Sequence, residues 1–195
     1  MRGRRNRNKI SEVQRDNGTW TRNEEELVNE MSMFYNMLFS SGGIGDSSKV
    51  LRGINHTITE EMNTNLTRPV HEEEIRSAIF SMNPDKAPGV DGMTPLFFQK
   101  FWTVIKKDVV KAVQDFFLSG CMLKSINHTI ISLIPKILNP TSLKNYRPIS
   151  LCSVLCQIIS KILANRLKPV LDKCISKNQS AFIPDRQILD NVIIA

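Results

Sequence analysis

The chain contains no run of 18 apolar residues, so its sequence offers no membrane span. Its basic start, MRGRRNRNK, leads into no apolar h-region and does not read as a signal peptide. Without a secretory leader, the Asn-x-Thr matches at Asn17, Asn55 and Asn127 read as chance. Four cysteines, Cys121, Cys152, Cys156 and Cys174, include no CxxC pair and have no histidine at ligand spacing. That argues against a structural zinc site, even though Cys152 and Cys156 would share a helical face, and predicts reduced, mostly buried thiols. The Gly-rich stretch Ser40–Ser48, SSGGIGDSS, lacks both the GK[ST] ending and the preceding strand of a phosphate loop, and reads as a flexible linker.

What is present is an ordinary globular composition. At 195 residues, 41% hydrophobic and 23% charged, the chain can bury a real core, and wholesale disorder is excluded. The formal charge of +7 is unevenly spread: net +5 through Arg22, −6 from Asn23 to Phe80, and +8 from Ser81 onward. Three regions follow: a basic, flexible arm (1–22), an acidic helical linker region (23–80) and a basic remainder (81–195). Arg2, Arg4, Arg5, Arg7 and Lys9 suit a nucleic-acid contact or a nuclear address, or simply a solvated terminus.

Apolar spacing predicts helices over 24–40 (Leu27, Met31, Phe34, Leu38, with Met37 and Phe39) and over 71–82 (Ile75, Ile79), where His71 stands in place of a better cap. Thr94-Pro95 opens what reads as the longest helix, with Phe98, Phe101, Trp102, Ile105, Val109 and Val113 inward and Gly120 as its stop. Those aromatics at 3–4 spacing read as core, not as a base-stacking platform. A further helix over 153–167 turns Leu155, Ile158, Ile159, Ile162, Leu163 and Leu167 inward and Lys161, Arg166 and Lys168 outward. Pro169 is expected to bend or end it.

Two short extended segments lie between these helices. Ile130-Ile131-Ser132-Leu133-Ile134, stopped by Pro135, reads as a buried strand, and Tyr146–Leu151 as a second. About ten residues join them, which would bring Lys136 and Arg147 close together. An ammionium beside a planar guanidinium suits a polyphosphate or a nucleic-acid backbone, or is merely a pair of solvated loop cations. Asp85–Gly92, DKAPGVDG, makes a tight turn whose backbone N–H groups could face an anion, or which merely turns the chain.

LIPK, then NYRPISL, ISKILANRLKPVL and NQSAFIPDRQILDN, with DKAPGVDGMTPLFFQKFW upstream, resemble the reverse transcriptases of LINE-type (non-LTR) retroelements, most closely those of plants. The motifs run in order from about Ile58 to Ala195. The resemblance implies an α+β fold, mostly helical with a small antiparallel β component, forming an incomplete fingers subdomain of a right-hand polymerase over 81–195. By motif position Lys136 and Arg147 resemble the residues that clasp the incoming nucleotide's triphosphate. Lys86, Gly89, Asp91 and Gly92 resemble the template-side lid, and Gln179, Phe182 and Arg186 the segment lining the template.

In that family two divalent ions do the chemistry, held by aspartates on a later strand and a Tyr-x-Asp-Asp hairpin. Neither motif occurs here, so the resemblance assigns this chain no catalytic residue, no metal ligand and no cofactor of its own; Mg2+ is expected only for the complete polymerase. The apolar Val192-Ile193-Ile194-Ala195 ending reads as a truncation that palm and thumb would cover. The implied partners are an RNA template, a DNA primer and a dNTP, without a membrane, and the implied location is intracellular, nucleus or cytoplasm. The alternatives are a stand-alone, non-catalytic nucleic-acid-binding remnant or a decayed element.

Overall fold

A computed structural model describes residues 9–43, 45, 47–48, 52–53, 57–176 and 179. The elements run α1 (Glu24–Phe39), α2 (Glu60–Thr67), α3 (Glu72–Phe80), α4 (Pro95–Lys100), α5 (Trp102–Ser119), β1 (Thr129–Pro135), β2 (Tyr146–Cys152) and α6 (Val154–Cys174). The two strands pair in one antiparallel sheet, so the fold is α+β and mostly helical, as the patterning predicts. The chain divides into two compact units, each assembled from two separated stretches: Met1–Gly53 with Ile131–Ser150, and Ile54–Ile130 with Leu151–Ala195.

In the first unit, α1 begins where Asn23 accepts the Glu26 N–H at 2.8 Å, and Glu24, Glu25 and Glu26 complement the positive end of the helix. Ahead of it, Asp16-Asn17-Gly18 makes the expected turn, with Gly18 at φ +83° and the Gln14–Trp20 bridge closing it. Val13, Leu27 and Leu143 form a small core flanked by Ile10, Met31, Phe34 and Tyr35. Arg15 clamps the turn to α1 through Glu26 at 2.8 Å and Glu30 at 3.0 Å. Leu38, Met37 and Phe39, at the far end of the predicted stripe, are exposed.

The strand expected to be buried is not. Ile131 and Ile134 are exposed, as is Ile130 just before them. A two-stranded sheet offers each strand a single hydrogen-bonded neighbour, and a short apolar run does not reveal whether a second layer covers it.

The core of the second unit gathers Ile75 and Ile79 of α3, Phe98 of α4, Trp102, Val109 and Val113 of α5, and Val154, Ile158 and Ile162 of α6. Two glutamine side chains finish it. Gln99 donates to the carbonyls of Ile79 and Met82, both at 3.0 Å, at the end of α3, and Gln114 donates to Val70 at 2.8 Å.

Three sequence expectations are corrected here. The long helix from Pro95 is two helices, broken at Phe101 (φ −100°, ψ 14°), and Phe101 is 49% exposed rather than buried. The break falls among Phe97, Phe98, Phe101 and Trp102, aromatic residues that lose side-chain freedom in a helix, while Gln99 is held by the end of α3. The last helix does not end at Pro169 but continues to Cys174. The carbonyl that Pro169 leaves without an N–H partner belongs to Asn165, which like Pro169 is an exposed residue, and Arg166 and the buried Val170 anchor the helix on either side of the proline. Finally, Arg166 points inward, while Leu163 and Leu167 are 41% and 45% exposed.

Arg166 explains α2, which the pattern did not predict. All five of its N–H donors are used: Nε and Nη2 on the Glu74 carboxylate at 2.8 and 2.9 Å, Nη1 on the carbonyls of Leu66 (3.0 Å) and Arg68 (2.7 Å), and Nη2 on Pro69 (3.3 Å). Phe117 lies 5.3 Å below the guanidinium. The arginine thus satisfies carbonyls that the end of α2 leaves open and pins that stretch to α3 and α6.

The Glu74 carboxyl is held below its ordinary value of 4.5, chiefly by the hydrogen bonds from Arg166. A carboxyl depressed in the folded state contributes stability that is complete above the unfolded value and fades as pH falls through the folded one. Arg166→Ala should therefore cost about 3–5 kcal/mol in urea unfolding at pH 7. The gap to the parent chain should narrow, without closing, as the pH is taken below 4.5.

Candidate functional site

The hairpin carries the first group of candidates. Its connection is built locally: Asn139 takes a left-handed φ of +54°, and Ser142 and Asn145 cap the short 3-10 turn Leu143–Asn145 reciprocally. The Gln14 N–H donates to the Thr141 carbonyl at 2.7 Å, tying the connection to the N-terminal turn. The Lys136 N–H then donates to the Asn145 carbonyl at 2.7 Å. In an antiparallel pair this sets Asn145 opposite Lys136, and Arg147, two residues on, projects to the same face.

Along β2 the alternation is plain. Tyr146 buries its ring, and burial pushes its phenol above the ordinary value, whereas Arg147 is exposed. Among the described residues no carboxylate pairs with Lys136 or Arg147. The Lys136 ammonium donates to the Lys144 carbonyl at 2.8 Å, which holds its stem against the turn, and Lys144 itself reaches Asp16 at 2.8 Å. Lys144 is a third cation at this end of the hairpin.

The second group lies in the loop after α3. Asn83 Oδ1 accepts the Asp85 N–H at 2.9 Å, and the Asn83 carbonyl accepts the Lys86 N–H at 3.3 Å. The Gly89 carbonyl accepts the Gly92 N–H at 3.2 Å, and Asp91 Oδ1 the Met93 N–H at 3.1 Å. The Asp85, Lys86, Gly92 and Met93 amides are thus committed in and beside the loop. Lys86, Asp91 and Gly92 are exposed and Gly89 is buried.

Of the third group only Gln179 is described; it is exposed, and its N–H donates to Ser176 at 3.0 Å. Phe182 and Arg186 lie outside the described residues.

Among the described residues no three His, Cys, Asp or Glu side chains come together as a metal site. The four cysteines are free thiols, though Cys121 and Cys174 are exposed rather than buried. No helix among the described residues is long and apolar enough to cross a membrane. Two positioning residues escaped the sequence reading. Gln99 ties down the chain just before the loop, and Ser153, which caps α6 and donates to Ile126 at 3.0 Å, fixes the end of β2. Ser153 is a lone polar residue inside an apolar stretch, and Gln99 with Lys100 interrupts an aromatic one, which was the available signal.

Residues 134–195 match the family described as reverse transcriptase (RNA-dependent DNA polymerase). The chain belongs to the reverse transcriptases. A curated relative, the transposon TX1 uncharacterized 149 kDa protein of Xenopus laevis, is 33% identical over 190 residues, covering 97% of this chain and 14% of that protein. With the ordered motifs, these matches identify the chain as a fragment of a LINE-type (non-LTR) reverse transcriptase, spanning 14% of the length of the relative it matches.

Strand alternation makes the hairpin testable without any ligand. Lys136→Ala and Arg147→Ala should each shift the unfolding free energy by no more than about 0.5 kcal/mol. Tyr146→Ala, one position away from Arg147, should cost about 3 kcal/mol in the same thermal or urea melts.

Proposed function

We propose that this chain supplies the fingers portion of a LINE-type RNA-directed DNA polymerase, binding template and the triphosphate of the incoming dNTP. The observation that carries the reading is the hairpin register. It puts Lys136 and Arg147 on one face, with Arg147 exposed and no carboxylate from the described residues on either cation. A guanidinium fork and an ammonium together match the oxygens of a polyphosphate. Lys86 and the Asp91-Gly92 turn form the template side, with Gln179, Phe182 and Arg186 further along.

The partners of the complete enzyme are an RNA template, a DNA primer, a dNTP and the palm and thumb of the same polymerase, which bring the carboxylates and Mg2+. The site of action is intracellular, in nucleus or cytoplasm.

The purified 195-residue chain should bind single-stranded RNA or DNA with an affinity that falls steeply with salt, because displaced counterions provide the drive. Supplied with primer, template, dNTP and Mg2+, it should incorporate no nucleotide; template-dependent extension would overturn the assignment of the chemistry to other segments. In the complete polymerase, Arg147→Ala should raise the KM for dNTP and lower kcat, with template affinity nearly unchanged. Arg147→Lys should recover only part of the loss, since one ammonium cannot reproduce a bidentate fork. An Arg147→Ala enzyme with normal dNTP kinetics would sink the triphosphate role.

A further inference from the structure

Gly89 stands apart from the rest of its loop. A Cβ added there would lie 2.7 Å from the Ser153 nitrogen, 2.8 Å from the Cys152 carbonyl carbon and 2.9 Å from its oxygen. All three are backbone atoms, so no side chain is free to swing aside. Gly92, three residues on, is the reverse case: its φ of +69° favours glycine, yet nothing lies within 4 Å of the place a Cβ would take. One glycine is required by a neighbour, the other by its own backbone. The neighbour is itself fixed. Ser153 caps α6 by accepting the Cys156 N–H at 3.3 Å, donates to the Ile126 carbonyl, and is followed by the fully buried Val154.

Building on the proposed template side of this loop, we infer that Gly89 is a positioning residue that does not itself touch the template. Its missing side chain lets the 85–92 loop seat backbone to backbone on the β2–α6 junction, and that seating sets where Lys86 and the Asp91-Gly92 turn are presented to nucleic acid. The Asp85, Lys86, Gly92 and Met93 amides are committed internally and Gly89 is buried, whereas Lys86, Asp91 and Gly92 are exposed and so are the groups offered to a phosphate backbone. The nucleic acid in question is a single strand, met through its phosphates.

Hydrogen exchange on the unaltered chain comes first. The Gly92 and Met93 amides should be protected together with the Cys156 amide. Exchange of Gly92 and Met93 at the rate of an unstructured peptide would overturn the seating without any substitution. In Gly89→Ala, exchange should accelerate by roughly an order of magnitude at Gly92, at Met93 and at Cys156 alike. Gly92→Ala, strained in φ but free of any clash, should leave Cys156 unchanged.

The second arm measures binding of a single-stranded RNA oligonucleotide across a salt series. Lys86→Ala should reduce the log–log salt slope by roughly 0.7, one phosphate contact. Gly89→Ala should reduce it by the same amount, and the double variant should lose nothing more. Two results overturn the inference: independent, additive losses, which would make Gly89 a contact in its own right, or a destabilised Gly89→Ala chain with unchanged affinity and slope, which would make it a packing residue only. If Lys86→Ala leaves the slope untouched, the template role of the loop fails instead, and the exchange data still decide the seating.

Discussion

The Arg166 guanidinium is the interaction on which the second unit depends. A charge this deeply buried is tolerable only when every donor has an acceptor, and here five donors meet one carboxylate and three backbone carbonyls. The carbonyls belong to Leu66, Arg68 and Pro69, at and just past the end of α2, where no further helical N–H groups are there to meet them. Without the arginine, these groups would have to turn to water, and α2, which has no buried residue of its own, would lose its attachment. One side chain thereby replaces the apolar face that α2 lacks.

That arginine also marks how far the sequence could be read. Ile158, Ile162, Arg166 and Val170 follow one another at intervals of four, which puts the cation on the buried stripe of α6. Charge argued for an outward position and spacing for an inward one; spacing prevailed because the acceptors wait in a distant stretch that periodicity cannot see. Pro169 does not end the helix for a related reason, since a missing hydrogen bond costs little on the exposed side of α6. By contrast the existence of α1, α3, α6 and the hairpin was legible, because apolar spacing and turn residues agreed, even where His71 gives α3 no side-chain cap.

For the candidate site the division is different. Which residues mattered came from motif order and not from physical pattern, since exposed lysines and arginines look alike in a sequence. The alternation of Tyr146 and Arg147 was implicit in the strand period, but the register that sets Lys136 on the same face needed the connection: Asn139 at positive φ and the capped turn that follows. The commitment of the loop amides after α3 was not legible at all, because Asn83 and Asp91 serve as local acceptors only once the backbone has already turned.

The interleaving of the two units has a consequence for how the chain is made. Val13 and Leu27 complete their small core with Leu143, which is translated about 115 residues after Leu27. At the usual 5–20 residues per second, the N-terminal stretch leaves the ribosome roughly 6–23 s before its partner exists. During that interval the second unit is equally unfinished, since α6 follows the hairpin. Neither half can mature before the hairpin has been made, so the early apolar surfaces of α1 must stay out of trouble by their own solubility. The three glutamates that open the helix, and the basic residues before them, are the groups available for that task.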